Sequence, residues 1–389
     1  MTHKDMQMLR EAGSRERRVP EGWGEFRLSS VSELQRGFDL PNNQRVKGTV
    51  PVVSSGGITG FHAEARSKAP GVVTGRYGSI GDVFFIEEDY WPLNTALWVK
   101  NFHGNDEKFI YYLLSSFDFK KFSDKTGVPG VNRNDLHAVK VAVPPLPEQK
   151  KIAQILSTWD KAITTTEQLL VNSQQQKKAL MQQLLTGKQR LLDQNGKRFE
   201  GEWESYELGD WIRDFSEKSV TNDQHEVLTS SRTGLVKQSE YFTESRISQR
   251  ENAGFNVLPP RYITYRSRSD DGQFFFNRNE FSFTGIISTY YPVFHFPDGD
   301  STFFLNYLNR SSSAFAGYSV GTSQKVLSLN VLKGIKARLP KKEEQQKIAA
   351  VLSSADQEIT TLQQKLNALK QEKKALMQQL LTGKLRVVV

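Results

Sequence analysis

The sequence predicts an α+β protein in which two strand-rich globular domains are separated by two long helices, packed as an antiparallel coiled coil with pseudo-two-fold symmetry. Three observations lead to this fold class. One stretch of the chain occurs twice, and each copy has the apolar periodicity of a coiled coil. The segments outside the copies are rich in aromatic residues and have the pattern of short strands bounded by turns.

The repeated stretch is long and well preserved. Residues 177–188 and 373–384 both have the sequence KKALMQQLLTGK, at an offset of 196. At this same offset residues 144–190 align with residues 340–386 without a gap, and 28 of the 47 positions are identical. Chance does not produce such identity, so the two stretches predict two copies of one structural element.

Each copy has an apolar seam with a period of 3.5 residues. Steps of four and three residues alternate along the seam, which is the spacing of a left-handed coiled coil and requires a partner helix. Both copies have a lysine at the same seam position, Lys177 and Lys373, which either specifies register or extends its amine to solvent. The predicted apolar seam residues are Ile152, Leu156, Trp159, Ile163, Leu170, Leu180, Leu184, Ile348, Leu352, Ile359, Leu362, Leu366, Leu369, Leu376 and Leu380.

Prolines and glycines mark the ends of both helices. Pro144 and Pro340 precede the copies, and Gly187 and Gly383 follow them where a left-handed residue closes a helix. The predicted organisation is an N-terminal arm (1–22), a first globular domain (23–143), the first repeated helix (144–188), a linker (189–202), a second globular domain (203–339), the second repeated helix (340–386) and a tail (387–389).

The two globular domains are similar in plan but differ in length. Each opens with a tryptophan and a strand-like stretch, at residues 23–28 and 203–208, an offset of 180 rather than 196, so the second domain is longer. Other predicted elements include strands at residues 72–74, 83–86, 281–284 and 286–290 and a helix at residues 108–122.

Composition limits the chemistry available to the chain. There is no cysteine among 389 residues, which excludes disulfides and thiolate metal sites, and the six histidines are scattered, so we expect no metal site. No apolar run approaches the ~20 residues that cross a bilayer, and the N-terminus lacks the pattern of a secretory signal. We therefore expect a soluble cytoplasmic protein.

The charge balance favours a polyanionic partner, and the sequence has no recognisable catalytic motif. Fifty-two Lys and Arg residues against 43 Asp and Glu residues give a formal net charge of +9. The Thr-Gly-Lys sequences lack the glycine that opens a phosphate-binding loop, and we find no nuclease or adenine-methyltransferase motif. We expect no catalytic residue in this chain.

The duplicated helices and several phrases resemble one known family. The markers are the two helices ending in QLLTGK, the P-x-x-x-E-Q sequences at residues 144–149 and 340–345, VVTGRYGSIGDVFFI at residues 72–86, and YWPLNTALWV at residues 90–99. In these features the chain resembles the specificity subunit of type I restriction-modification systems.

The resemblance implies a non-catalytic DNA-binding subunit with no cofactor of its own. Each globular domain would be a target-recognition domain that reads one half of a bipartite target in double-stranded DNA. The helices would set the spacer between the halves and dock two modification (methyltransferase) subunits. Restriction (motor-nuclease) subunits would join for cleavage, and S-adenosylmethionine, ATP and Mg²⁺ would bind to the partner subunits.

Polar and basic loop residues are the candidate DNA contacts. Arginine can pair bidentately with guanine, and hydroxyl and amide side chains can contact phosphates or bases. Two arginines two residues apart in the stretch 265–269 would share one face of a strand. For every candidate, the alternative is an ordinary turn or a solvated loop. The candidates are Ser54, Ser55, Arg76, Tyr77, Thr126, Asn132, Arg133, Ser231, Arg232, Arg266, Arg268, Thr322, Ser323, Gln324 and Lys325.

The main alternative function is a structural adaptor. In that case the coiled coil would join protein partners, and the variable domains would bind proteins or sugars. Steeply salt-dependent binding to duplex DNA separates the two hypotheses, because neutralising phosphates releases counterions.

Overall fold

The computed structural model describes residues 19–122, 130–241 and 251–388. The chain divides into two compact units. Unit 1 comprises Met1–Glu167 and Gln364–Val389, and unit 2 comprises Gln168–Gln363. Each unit therefore contains a strand-rich part together with a portion of each repeated stretch.

Unit 1 is built on small sheets. Its strands are β1 (Gly24–Arg27), β2 (Glu33–Arg36), β3 (Val50–Ser54), β4 (Gly57–His62), β5 (Gly71–Gly75), β6 (Val83–Ile86), β7 (Trp91–Pro92), β8 (Ala96–Asn101) and β9 (Lys140–Val143). An antiparallel sheet has the order β2-β8-β5-β6, a second sheet has the order β4-β3-β7 with β3 and β7 parallel, and β1 pairs with β9.

Helices cover the core of unit 1. They are α1 (Leu28–Val31), α2 (Glu107–Ser115), α3 (Arg133–His137) and the first part of α4 (Leu146–Leu184). The Asp106 side chain caps α2 by accepting the Phe109 N–H, and α2 is amphipathic. Its apolar face packs in one cluster with Ile152 and Leu156 of α4.

Unit 2 repeats this scheme. Its strands are β10 (Glu204–Glu207), β11 (Arg213–Phe215), β12 (Glu226–Ser231), β13 (Gly234–Lys237), β14 (Asn256–Leu258), β15 (Ile263–Tyr265), β16 (Arg268–Ser269), β17 (Phe276–Arg278), β18 (Gly285–Ile287), β19 (Val293–His295), β20 (Lys325–Val326) and β21 (Lys336–Leu339). The sheets are β11-β19-β15-β17, β13-β12-β18-β14, β10-β21 and β16-β20. Residues 63–70 join β4 to β5, whereas residues 238–262 join β13 to β15 and supply β14, so the extra length of the second half lies there.

Unit 2 has a short helix, α5 (Gln238–Tyr241), with no buried residue. Its aromatic core is covered by α6 (Ser301–Arg310), α7 (Leu329–Lys333), the first part of α8 (Lys342–Leu380) and the second part of α4. The Asp300 side chain caps α6 as Asp106 caps α2. The rings of Phe296 and Phe304 stack with centroids 4.1 Å apart in this core.

The repeated stretches form α4 and α8, each a continuous helix of 39 residues. In unit 1, Asp160 of α4 pairs with Lys373 of α8 and Glu167 pairs with Lys370, so the two helices run antiparallel. All the predicted seam positions are buried or half-buried. The predicted α+β fold with antiparallel long helices is confirmed.

Both seam lysines form ion pairs with the opposite helix. The Lys177 Nζ lies 2.5 Å from Asp356 Oδ1 in unit 2, and the Lys373 Nζ lies 2.5 Å from Asp160 Oδ1 in unit 1. The two aspartates are equivalent positions of the repeat, and each lysine side chain is only about one-fifth exposed. This reciprocal pairing favours a role in helix register over simple extension to solvent.

A buried carboxylate joins distant parts of unit 1. Glu148, near the start of α4, accepts two hydrogen bonds from the Arg386 guanidinium (2.8 and 2.9 Å) and one from Trp23 Nε1 (3.1 Å). Burial by itself would raise the pKa of the Glu148 carboxyl, but the hydrogen bonds from Arg386 and Trp23 outweigh it and hold this pKa below its ordinary value. The Glu148 carboxylate therefore connects three parts of unit 1: Trp23 at the start of the globular part, the start of α4, and Arg386 after α8.

Unit 2 has the equivalent junction. Glu344, near the start of α8, accepts two hydrogen bonds from Arg190 (2.6 and 2.7 Å) and one from Trp203 Nε1 (3.3 Å). The Arg190 side chain is 19% exposed, against 43% for Arg386 in unit 1. The linker after the first repeat and the residues after the second repeat thus have the same structural role.

The glutamine of each P-x-x-x-E-Q sequence fastens a helix of the globular part. The Gln149 side chain donates to the Pro144 carbonyl (2.9 Å) and accepts the Asp106 N–H (2.9 Å) at the start of α2. Gln345 makes the two equivalent hydrogen bonds in unit 2. The motif is therefore a structural junction between each long helix and the adjacent globular part.

The predicted strand at residues 281–284 is wrong. The Asn279 side chain accepts the Phe281 N–H and donates to the Leu258 and Phe283 carbonyls, which holds the segment as a loop. The rings of Phe281 and Phe283 stack against each other at 5.0 Å in a small apolar cluster. The two aromatic residues that suggested a strand are half-buried against Leu228, Leu258, Ile287 and Val293.

The predicted helix at residues 108–122 is shorter than expected. It ends at Ser115, and a separate 3-10 turn covers Phe119–Phe122. The Ser116 hydroxyl donates to the Leu113 carbonyl, a local bond that competes with continuation of the helix.

Arg190→Ala is expected to destabilise unit 2 by about 3–5 kcal/mol, because it leaves the Glu344 carboxylate buried with no cationic partner. Arg386→Ala is expected to cost unit 1 less, because water can replace the half-exposed guanidinium. Hydrogen exchange measured by mass spectrometry on peptides from each unit would locate and rank the two losses. Equal losses, or losses spread evenly over both units, would contradict this assignment.

Candidate nucleic-acid interface

Two turns of unit 1 lie against each other. In the turn between β3 and β4 the Ser54 Oγ accepts the Gly56 N–H and donates to the Gly57 carbonyl, both at 3.2 Å. Gly57 has a φ of +94°, a conformation that favours glycine. Ser55 lies beside Gly75, where the second turn begins, so the predicted candidates of both turns are close together.

The second turn presents Arg76 and Tyr77. Both backbone N–H groups donate to the Thr95 carbonyl, at 2.9 and 3.2 Å, at the end of the neighbouring strand. The Arg76 guanidinium lies over the Tyr77 ring, 4.6 Å from its centroid, and the Tyr77 side chain is exposed. β5 and β6 flank this turn as an antiparallel pair, so the glycine-rich stretch is a hairpin connection.

Two further candidates of unit 1, Asn132 and Arg133, lie at the start of α3. The Asn132 side chain caps this helix by accepting the Asn134 N–H (2.9 Å), so its oxygen already has a structural role. Arg133 is exposed at the first position of α3. Thr126 lies outside the described residues.

In unit 2 the turn between β12 and β13 has the same hydroxyl geometry. The Ser231 Oγ accepts the Thr233 N–H and donates to the Gly234 carbonyl. Arg232 projects from this turn and is held by Asp271 at 2.6 Å. Hydrogen bonds from the Gln273 N–H, the Ser269 hydroxyl and Arg232 lower the pKa of the Asp271 carboxyl to about 2.

The strand expected to carry Arg266 and Arg268 is interrupted. β15 ends at Tyr265, and Arg268 begins β16, which pairs with β20 instead. The backbone leaves one sheet and joins another because the Ser267 N–H and hydroxyl both bond to the Tyr290 carbonyl. The prediction of one continuous strand is therefore wrong.

Two cavities nevertheless bring the arginines together. Arg266 and Arg268 both line a cavity of about 780 Å³, which also includes Tyr290. They also line a cavity of about 370 Å³ together with Ser231 and Arg232. The Arg268 guanidinium lies 4.6 Å from the centroid of the Tyr290 ring.

The larger cavity has charges of both signs. Carboxylates of Asp223, Glu226 and Glu251 line it together with the two arginines. A phosphate would be repelled by the carboxylates, whereas the edge of a base carries both acceptors and donors. The lining therefore suits a base edge better than a phosphate group.

The last candidates lie on the loop before α7. Thr322 and Ser323 are exposed, Gln324 donates to Asp270 at 2.9 Å, and Lys325 belongs to β20. Gln324 also lines the larger cavity. This loop therefore joins the other candidates of unit 2 through Gln324.

Sequence reasoning missed three residues that organise these surfaces: Thr95, Asp271 and Tyr290. Thr95 lies in the motif at residues 90–99, which provided a signal. Tyr290 lay at the end of a predicted strand that in fact ends at Ile287, and nothing in the sequence connects it to Arg268. Asp271 likewise has no sequence signal for its contact with Arg232.

In residues 19–122, 130–241 and 251–388, no group of three His, Asp or Glu side chains is arranged to bind a metal ion. Within the same ranges, every helix is too short or too polar to span a bilayer.

The sequence matches the family described as "Type I restriction modification DNA specificity domain" over residues 20–172 and 200–371. These two matches cover most of the chain. The chain belongs to this type I specificity family. The predicted identity as a specificity subunit, rather than an enzyme, is confirmed by this match and by the names of the relatives.

Two similar specificity-family proteins come from Methanocaldococcus jannaschii. The type I restriction enzyme MjaVIII specificity subunit is 26% identical over 319 residues, covering 72% of this chain and 71% of the relative. The MjaX specificity subunit is 25% identical over 319 residues, covering 76% of this chain and 72% of the relative.

Solved structures share the fold of this specificity-family chain. A type I restriction-modification S subunit from M. genitalium matches with a TM-score of 0.60 at 15% identity, covering 95% of this chain and 98% of the other. A chain from a structure on complex assembly and conformational transition of the type I system matches with a TM-score of 0.56 at 16% identity, covering 95% and 100%.

Lowering the pH is expected to destabilise the packing of α3, which is capped by Asn132 and begins at Arg133. The Leu34 N–H donates to His137 Nε2 (2.9 Å), so the imidazole must be neutral, and burial followed by the charge of Arg133 lowers the pKa of His137. The contribution of neutral His137 to the free energy of unfolding is complete above its ordinary pKa of 6.5. This contribution is lost as the pH falls below that value, by at most about 1.4 kcal/mol per pH unit.

Chemical denaturation of the wild type and of His137→Gln between pH 7.5 and 5 would measure this effect. Glutamine keeps an acceptor but does not titrate, so the variant should lose this part of the pH dependence. Identical pH profiles for the two proteins would contradict the role of His137.

Proposed function

We propose that this chain is the non-catalytic, sequence-specific DNA-binding subunit of a type I restriction-modification complex. The observation that carries the proposal is the recurrence, in each unit, of a serine-held turn beside an arginine stacked on an exposed tyrosine. Family membership and the net charge of +9 support the same function.

Each unit reads one half of a bipartite target in double-stranded DNA. The three sheets of unit 1 have counterparts in unit 2, which adds β14 and the β16-β20 pair, whereas the residues on the turns differ. Ser55 occupies the turn position that Arg232 occupies in unit 2, so the halves read different sequences. One chain thereby provides two dissimilar readers, as a dimeric repressor provides two identical ones.

The paired helices set the spacer and dock the partners. α4 and α8 each contribute residues to both units, and we infer that a change in their length changes the spacer. Two modification subunits bind the equivalent surfaces of the repeated helices, and restriction subunits join for cleavage. S-adenosylmethionine, ATP and Mg²⁺ belong to those partners.

Exchanging residues 203–339 for the equivalent part of a relative with another target should change one half of the methylated motif and leave the other half and the spacer intact. The exchange preserves both long helices and therefore the docking of the modification subunits. Motif analysis by methylation-sensitive sequencing would measure this result.

The reciprocal exchange of residues 23–143 is the matched control, and it should alter only the opposite half of the motif. If either exchange changed both halves, independent reading by the two units would be wrong.

Inserting one heptad into each helix, after Glu167 and after Gln363, should lengthen the spacer without changing the bases read. Seven residues extend each helix by about 10 Å and nearly preserve the helical face. The same sequencing would measure the spacer. A heptad placed in α4 alone is the control, because it breaks the Lys177 and Lys373 register and should destabilise the chain. A spacer unchanged by the double insertion would contradict the role of the helices.

A further inference from the structure

The Arg76 turn of unit 1 belongs to a short backbone ribbon. The Arg76 N–H donates to the Thr95 carbonyl and the Arg76 carbonyl accepts the Val131 N–H, both at 2.9 Å. The next residue, Tyr77, forms an antiparallel bridge with Gly130. The ribbon is therefore fixed on both edges by backbone hydrogen bonds.

Unit 2 has the same ribbon, formed by different residues. The Ser267 N–H donates to the Tyr290 carbonyl (3.4 Å), and the Ser267 carbonyl accepts the Leu327 N–H (2.9 Å). The next residue, Arg268, pairs with Val326. Gly130 and Val326, like Val131 and Leu327, differ by the 196 positions of the repeat.

The side chains at corresponding ribbon positions differ, but the resulting pair is the same. The corresponding positions are Arg76 and Ser267, Tyr77 and Arg268, and Thr95 and Tyr290. In unit 1 the arginine immediately precedes its tyrosine. In unit 2 the arginine takes the position of that tyrosine, and the tyrosine replaces the threonine on the neighbouring segment. Both units therefore place an arginine over a tyrosine, although the two residues occupy different positions of the ribbon in each unit.

Among the described residues, no side chain occupies the hydrogen-bonding edge of either arginine. Each guanidinium lies 4.6 Å from its tyrosine centroid, and Tyr77 and Tyr290 are 37% and 53% exposed. In the part of the chain that the structure describes, neither guanidinium forms a salt bridge or a side-chain hydrogen bond. Arg232 differs, because Asp271 occupies its guanidinium at 2.6 Å.

We propose that Arg76 and Arg268 each read a guanine, one in each half of the target. This inference rests on the proposed function and names the residue that determines one base pair in each half. A guanidinium offers two parallel N–H donors, which match the O6 and N7 acceptors of guanine in the major groove. The tyrosine ring holds the planar fork from one face and leaves its edge free, which reduces the ordering cost on binding.

Arginine-to-lysine substitutions test this assignment, because lysine keeps the charge but has no fork. The full-length chain would be used to select from a duplex DNA library with a randomised core. Selected sequences would then be titrated against duplexes in which the assigned G·C pair is replaced by A·T. We expect the wild type to select one such G·C pair in each half.

Arg268→Lys should lower discrimination at the G·C pair of one half by roughly 5- to 150-fold, and Arg76→Lys should do the same in the other half. The salt dependence of binding should be unchanged, because the number of cations is unchanged. Arg261→Lys is the matched control, and it should leave both G·C preferences intact because Arg261 is not a candidate DNA contact and pairs with Glu280 at 2.7 Å. Tyr290→Phe keeps the ring and should keep the preference, whereas Tyr290→Ala should weaken it.

The possible failures are distinguishable. A wild-type chain that selects no bipartite motif would overturn the proposed function and this inference together. A bipartite motif that lacks the G·C pair in one half, or an Arg→Lys variant with unchanged discrimination, would overturn the assignment for that arginine alone. A uniform loss of affinity for all sequences would assign the arginine to a phosphate and would also overturn base reading.

Discussion

The apolar seam of a long helix cannot remain in water, and in both units α4 and α8 bury this seam against each other. The seam determines which residues of the two helices are neighbours, and the ion pairs of Lys177 and Lys373 specify the register. That register brings Arg386 to Glu148 and Arg190 to Glu344, where each buried carboxylate also holds the tryptophan that opens a globular part. The packing of α4 against α8 therefore fixes, in each unit, where the strand-rich part joins the start of one long helix and the end of the other.

The same constraint separates the structure that the two units share from the turns that differ between them. The glutamine and glutamate of each P-x-x-x-E-Q sequence attach the globular part to a long helix, so both junctions need the same residues. In the ranges that the structure describes, the turns that follow β3, β5 and β12 do not contact these junctions, so they need not have the same residues. Their side chains differ between the units. Rigid elements that position variable loops are the usual arrangement for binding sites. In this chain the repeat supplies the scaffold and the non-repeated turns supply the specificity.

Much of the fold follows from local pattern. The 3.5-residue period, the prolines before the helices and the glycines after them predicted two long helices, and the structure has them at 146–184 and 342–380. Prediction failed where a side chain competes with the backbone. Asn279 makes a loop of an aromatic stretch that has strand propensity, and Ser267 diverts the chain between two sheets in the middle of an expected strand. Single polar residues with several hydrogen bonds override propensity, and their partners are remote in sequence.

The sequence by itself determined the duplication, the coiled-coil seam, the family and the turns on which polar and basic residues lie, because each of these depends on neighbours within a few residues or on an exact repeat. Only the tertiary structure decided which arginines are available. Arg232 is neutralised by Asp271, whereas Arg268 lies on Tyr290 and forms no salt bridge or side-chain hydrogen bond with another described residue. Both partners approach across turns from other segments, and the free energy of a charged side chain depends on the groups around it in space.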